Sequence, residues 1–238
     1  MYKKINILII ISTIILITSC ATTGGITQKE ELPANENKVE KITSKPKNKS
    51  ITKNEEYLTT NINYPEFEGK PLLNKIIENS ILSYYNEFEK ASKTDWEDLR
   101  LKSEDSADFP PFFYGTEYTY LSDKRYTSVL IQTEIFSGGA HGNISLNSYN
   151  YSESEKNLNL SITESTGYSY EELSVLCRQT LYKKYPSNKD WIDSGTEPYP
   201  HNFEIFLVNE KKVVIYFEPY SVGPYSEGIQ AVELKLKK

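Results

Sequence analysis

The chain has 238 residues, of which 33 are acidic, 27 basic and 38% hydrophobic. From Tyr57 onward there are 27 acidic against 18 basic residues, a net charge of −9, which excludes the polyanion nucleic acid as a partner. Cys20 and Cys177 are the two cysteines, so no disulfide framework is available and burial of apolar surface must hold the fold.

At the N-terminus Lys3 and Lys4 precede the apolar runs Ile7 to Ile11 and Ile14 to Ile17, and "ITSC", Ile17 to Cys20, follows. Positive charge, apolar stretch and small residues come in the order of a secretory signal. With cysteine at the cleavage point, the segment resembles the lipobox of bacterial lipoproteins. That resemblance implies a signal peptide over 1–19, a diacylglycerol on Cys20, and a mature chain anchored in the cell envelope outside the cytoplasmic membrane. An outer membrane is the expected destination in a cell that has one. The apolar stretch is about half of the roughly 20 residues that spanning requires. Residues 20–56 carry Lys, Glu, Asn and Thr with almost no large apolar side chain, and read as a lipidated cysteine on a disordered tether.

"YLTTNINY", Tyr57 to Tyr64, alternates and reads as a first strand. Leu72, Leu73, Ile76, Ile77, Ile81, Tyr84, Tyr85 and Phe88 recur at helical spacing and predict a long amphipathic helix. The stretch Trp96 to Pro111 is charged and irregular. Phe112 to Leu121 and Tyr126 to Phe136 predict a hairpin around "SDKR", and Asn143 to Tyr151 alternates again.

Ser169 and Glu172 have the spacing of a capping box ahead of a second helix that Pro186 closes. Cys177 falls inside that amphipathic pattern and reads as a small buried apolar residue. Phe203 to Val208, Lys211 to Phe217 and Ile229 to Lys237 are three further strands. The expected fold is α+β: helices packed on curved antiparallel sheets, in two related halves, 57–150 and 151–238, of one compact unit.

Two segments are candidates for function. In "FSGGAHGN" the residues Ser137, Gly138, Gly139 and His141 sit between two strands, where glycine supplies the positive φ of a sharp reversal. A phosphate cradle would lead into a helix instead. His141 and His201 are the only histidines, and neither has a second ligand at a metal-site spacing, so neither a metal nor a cofactor is expected. His141 is open to two readings, a catalytic base or a member of its own turn. The second segment is "YFEPYSVGPYSEG", where Pro219, Tyr220, Pro224 and Tyr225 form two proline–tyrosine pairs. Proline restrains the loop, so it loses little entropy on binding, and tyrosine supplies contact area with a hydroxyl.

The glycine–glycine–alanine–histidine turn, Gly138 to His141, and the tail from Phe217 to Gly228 resemble the extracellular DUF3298 family. "INYPEFEG", the following helix and the hairpin to Phe136 are similar to the region DUF4163 that often precedes it. Where relatives often have proline after the histidine, this chain has Gly142. The resemblance implies a sensing or binding module of the kind found outside lysozyme-recognising anti-sigma factors and beside peptidoglycan deacetylase domains.

The expected function is thus an envelope lipoprotein with a non-catalytic ligand-binding domain. Its expected partner is a lysozyme-like hydrolase or peptidoglycan, and its contacts are the glycine turn and the tyrosine–proline loop. An envelope hydrolase using His141, or a purely structural protein, is the alternative.

Overall fold

The structure is a computed structural model that describes residues 45–103 and 109–237. The expected signal peptide, Cys20 and the expected tether as far as residue 44 lie outside the described residues. The described chain falls within one compact unit.

The first five strands make one sheet in the order β1-β2-β3-β4-β5. They are β1 (Lys47–Asn54), β2 (Leu58–Glu66), β3 (Phe112–Ser122), β4 (Tyr126–Phe136) and β5 (Asn143–Ser152). The expectation of a disordered tether through residue 56 is corrected here, because Lys47–Asn54 pair antiparallel with β2 along its whole length. Most β1 side chains remain exposed, so no apolar alternation marks the strand in the sequence. The backbone ladder and a Lys53–Glu89 ion pair at 2.7 Å attach it.

A 32-residue helix, α1 (Pro71–Lys102), leads from β2 to β3. Such a crossover lets β3 run parallel to β2, so this sheet is mixed, with one parallel pair among the mostly antiparallel pairing that was expected. The helix runs past the expected irregular point at Trp96, which is itself buried, its indole N–H donating to Pro110 O at 2.8 Å. Leu73, Ile77, Ile81 and Tyr85 form its buried stripe and pack on Leu58, Ile62, Phe112, Tyr114 and Ile131 of the sheet.

The second sheet has the order β6-β7-β8, from β6 (Phe206–Val208), β7 (Lys212–Phe217) and β8 (Gln230–Lys235), all antiparallel. Three helices precede it: α2 (Ile162–Thr166), α3 (Tyr170–Lys184) and α4 (Lys189–Gly195). The capping box at Ser169 is present in full, with Ser169 Oγ accepting from Glu172 N and Glu172 accepting from Ser169 N. Leu173, Cys177 and Leu181 of α3 and Ile192 of α4 bury themselves against Val213, Ile215, Phe217 and Val232. The Phe203–Val208 run is strand only from Phe206, since Pro200–Phe203 is a 3-10 turn.

A third cluster, Leu130, Leu146 and Leu207, joins the two sheets. The outer edge of β6 is covered by side chains of the first sheet. Ser128 Oγ donates to Val208 O at 2.9 Å and accepts from Val208 N at 3.1 Å. Asn150 Nδ2 donates to Phe206 O at 3.0 Å, and Phe206 N donates to Ser148 Oγ at 3.2 Å. An edge strand must satisfy its free N–H and C=O groups, and here polar residues of β4 and β5 do so. The α+β class therefore holds, with unequal halves of five and three strands among the described residues.

Candidate functional site

The connection from β4 to β5 is short, and it reverses through Gly138 at φ 89° and Gly139 at φ 104°, values that glycine adopts without strain. His141 follows and is exposed. Its Nδ1 lies 2.8 Å from Gly142 O and, in the tautomer with the proton on that nitrogen, donates to it.

The loop after β7 lies against the same turn. Tyr225 stacks on His141 with ring centroids 4.1 Å apart and planes 20° from parallel. The Tyr225 hydroxyl donates to Gly142 O at 2.5 Å, so one carbonyl ties two segments 83 residues apart. A second link joins the strands beneath, where Leu146 N donates to Glu218 Oε1 at 2.6 Å.

The rings continue in series. Tyr220 lies 5.5 Å from Tyr225, and Trp191 of α4 lies 6.2 Å from Tyr220 with planes 29° apart. Trp191 and Tyr220 are 43% and 52% exposed. The loop bearing the two tyrosines is fixed from below by Val222, which is fully buried in the second core, and by Asn188 Nδ2 donating to Glu227 Oε2 at 2.6 Å. Gly195 at the end of α4 makes the close approach possible, since a Cβ there would stand 2.0 Å from Ser221 O. Tyr220 itself holds φ at +73°, a left-handed conformation that a bulky residue rarely takes.

Of the residues singled out from the sequence, His141, Tyr220 and Tyr225 come together in this strip, with Pro219 and Pro224 flanking the tyrosines. Gly138 and Gly139 shape the turn. Ser137 faces elsewhere, into a groove of about 360 Å³ with Phe88, Ser92, Asp95 and Leu99 of α1. No hydrogen bond joins Ser137 to His141 among the described residues. His201 stacks on Tyr199, and the described residues hold no group of three or more side chains able to bind a metal. Trp191 is the member that sequence reasoning missed. Its helix is seven residues long with one fully buried apolar side chain, Ile192, too short for a periodic signal.

The resemblance to DUF3298 rested on both loops that meet in the strip, and comparison with known proteins supports it for the tyrosine loop, whereas the glycine turn falls in a second match. A model described as "Protein of unknown function (DUF3298)" matches residues 162–237, and one described as "Deacetylase PdaC" matches residues 51–144. The chain thus has a DUF3298-like segment behind a PdaC-like region. The DUF3298 match takes in α2, α3, α4 and the three-stranded sheet, while most of the first sheet and α1 fall in the PdaC-like match. The glycine turn lies in the PdaC-like match and the tyrosine loop in the DUF3298 match, so the strip is assembled from both.

Two solved structures share the fold. A DUF3298 family member from Bacteroides fragilis aligns at TM-score 0.58 and 20% identity, over 81% of this chain and 91% of its own. A DUF3298 family protein from Pseudomonas aeruginosa aligns at TM-score 0.51 and 19% identity, over 82% and 91%. The peptidoglycan-N-acetylmuramic acid deacetylase PdaC of Bacillus subtilis is 25% identical over 186 residues, 73% of this chain. The aligned region spans 36% of that relative's length.

Proposed function

We propose that this chain is a lipid-anchored protein of the cell envelope whose folded part binds a wall-associated ligand through the ring strip and catalyses no reaction. The observation that carries the reading is the convergence of the turn at His141 and the loop at Tyr220 and Tyr225 into one partly exposed aromatic surface, held rigid from below. Aromatic side chains presented on a rigid base bind with little entropy loss, which is the property a binding site needs.

Envelope placement is supported by the signal-like N-terminus with Cys20 and by similarity to a peptidoglycan deacetylase. Against a catalytic His141 stands its ring face, covered by Tyr225, while the Nδ1 contact with Gly142 O leaves Nε2 free and fits either role. The ligand classes that fit are peptidoglycan and a cationic, lysozyme-like wall hydrolase. The charge of −9 from Tyr57 onward would speed encounter with the second in a salt-dependent way.

Calorimetry with the Cys20→Ala chain decides between these, run against solubilised peptidoglycan and against a C-type lysozyme at low and physiological salt. Heat with either partner supports a binding role. Silence with both at both salts overturns it. For the anchor, an alkyne-tagged fatty acid fed to cells should label the wild-type chain and leave Cys20→Ala unlabelled.

A further inference from the structure

We infer that the outer end of the strip, Trp191 and Tyr220, backed by the Tyr225–His141 stack, is a platform for consecutive sugar rings of an uncharged, N-acetylated glycan. This rests on the binding role proposed above and assigns the ligand to the polysaccharide of the wall rather than to a protein. The C–H-rich face of a pyranose carries slight positive charge and lies well on the negative face of an aromatic ring. A run of aromatic rings therefore matches a run of sugars, provided that ring faces are open and neighbouring rings are offset.

Both conditions hold at the outer end of the strip. Trp191 and Tyr220 are 29° from parallel with centroids 6.2 Å apart, a looser contact than the 4.1 Å stack of His141 on Tyr225. Their exposures of 43% and 52% leave surface for a ligand. Among the described residues, the Trp191 indole N–H and the Tyr220 hydroxyl have no hydrogen-bond partner, so donors stand ready for hydroxyl and acetamido oxygens at the rim of each sugar.

Charge points the same way. The outer rings are those of Trp and Tyr, and the loop's own carboxylates are engaged internally, Glu218 accepting from Leu146 N and Glu227 from Asn188 Nδ2, although Asp190 beside Trp191 is exposed. A cationic protein would be met by free carboxylates at the contact, whereas an uncharged glycan needs none. Tyr220 adds an independent observation. At φ +73° an asparagine or glycine would sit with less strain, and a half-exposed tyrosine recovers little of that strain through burial. What the position gains from tyrosine is the outward ring.

The test is calorimetry of the Cys20→Ala chain with β-1,4-linked N-acetylglucosamine oligomers of two to six sugars, alongside a C-type lysozyme. Expected are saturable heats, affinity that rises with oligomer length, and no dependence on salt. Tyr220→Asn, which suits the left-handed backbone, and Trp191→Ala should each weaken binding roughly tenfold or more without lowering the urea midpoint, while Tyr220→Phe retains most of it. Heat with lysozyme and none with the hexamer overturns the glycan assignment and leaves the binding role standing. Hexamer binding that survives both Tyr220→Asn and Trp191→Ala overturns the assignment of the site. Silence with both ligands overturns the glycan assignment together with the lysozyme arm of the binding role, and solubilised peptidoglycan then tests what remains.

Discussion

The ring of His141 lies on the ring of Tyr225, centroids 4.1 Å apart, and the Tyr225 hydroxyl closes the contact on Gly142 O. A histidine placed in this way contributes its flat shape, and its proton has no partner in the chain other than its own turn.

His141→Phe should therefore keep the stack, with stability in urea within about 0.5 kcal/mol of wild type and ligand heats unchanged. Tyr225→Ala removes both the stack and a hydrogen bond, and should cost about 1–3 kcal/mol. Loss of ligand binding in a stably folded His141→Phe chain would restore a chemical role to the imidazole.

Gly195→Ala should be disproportionately damaging for so small a change. The added methyl meets Ser221 O at 2.0 Å, a backbone atom that yields only if the tyrosine loop moves. A loss of about 1–3 kcal/mol in urea is expected, with a shift in Trp191 fluorescence as Tyr220 leaves its side. An unchanged unfolding midpoint would mean that α4 and the loop are not in close contact.

The attachment of β1 should be sensitive to acid. Hydrogen bonds first from Lys53 and then from Tyr85 hold the Glu89 carboxyl below its ordinary value. A carboxyl depressed by folding contributes stability that is complete above its unfolded pKa of about 4.3 and is lost as pH falls through the lower folded value. Glu89→Gln should flatten that part of the stability–pH curve in urea titrations and leave the curve near neutrality parallel to wild type. Lys53 is raised by the same pair, so its share is present below its ordinary value and fades only as pH rises through the higher one.

Cys177 should be inert in the folded chain. Burial pushes its thiol up to about 12, so almost no thiolate exists at pH 8, and the side chain lies on the buried face of α3 in the second core. In the Cys20→Ala chain, maleimide labelling at pH 8 should be negligible without denaturant and should follow the urea unfolding transition. Rapid labelling of the native chain would show that the second core opens locally.

Much of the fold was legible because its signals are local. The hairpin Phe112–Phe136 alternates around a polar turn, and β2 and β7 carry alternating burial that matches their sequence pattern. The Ser169–Glu172 box marks the start of α3 directly. β1 was missed because an exposed edge strand buries almost nothing on either face and is stabilised by backbone pairing to β2, which depends on the partner rather than on the strand. The last third of α1 was missed because its charged side chains face solvent and only Ser92 and Trp96 are buried there. Half of the site, the glycine turn and the two proline–tyrosine pairs, stood out by residue type; Trp191 did not.

By itself the sequence determined the acidic balance, the absence of a disulfide framework, the α+β class and the identity of the two unusual loops, since composition, periodicity and turn chemistry are properties of neighbouring residues. Only the tertiary structure decided that those loops meet, that β3 runs parallel to β2, and that Trp191 extends the strip. Each of these is a contact between segments far apart in the chain, set by how two sheets share the Leu130–Leu146–Leu207 cluster and by a glycine that lets two backbones touch.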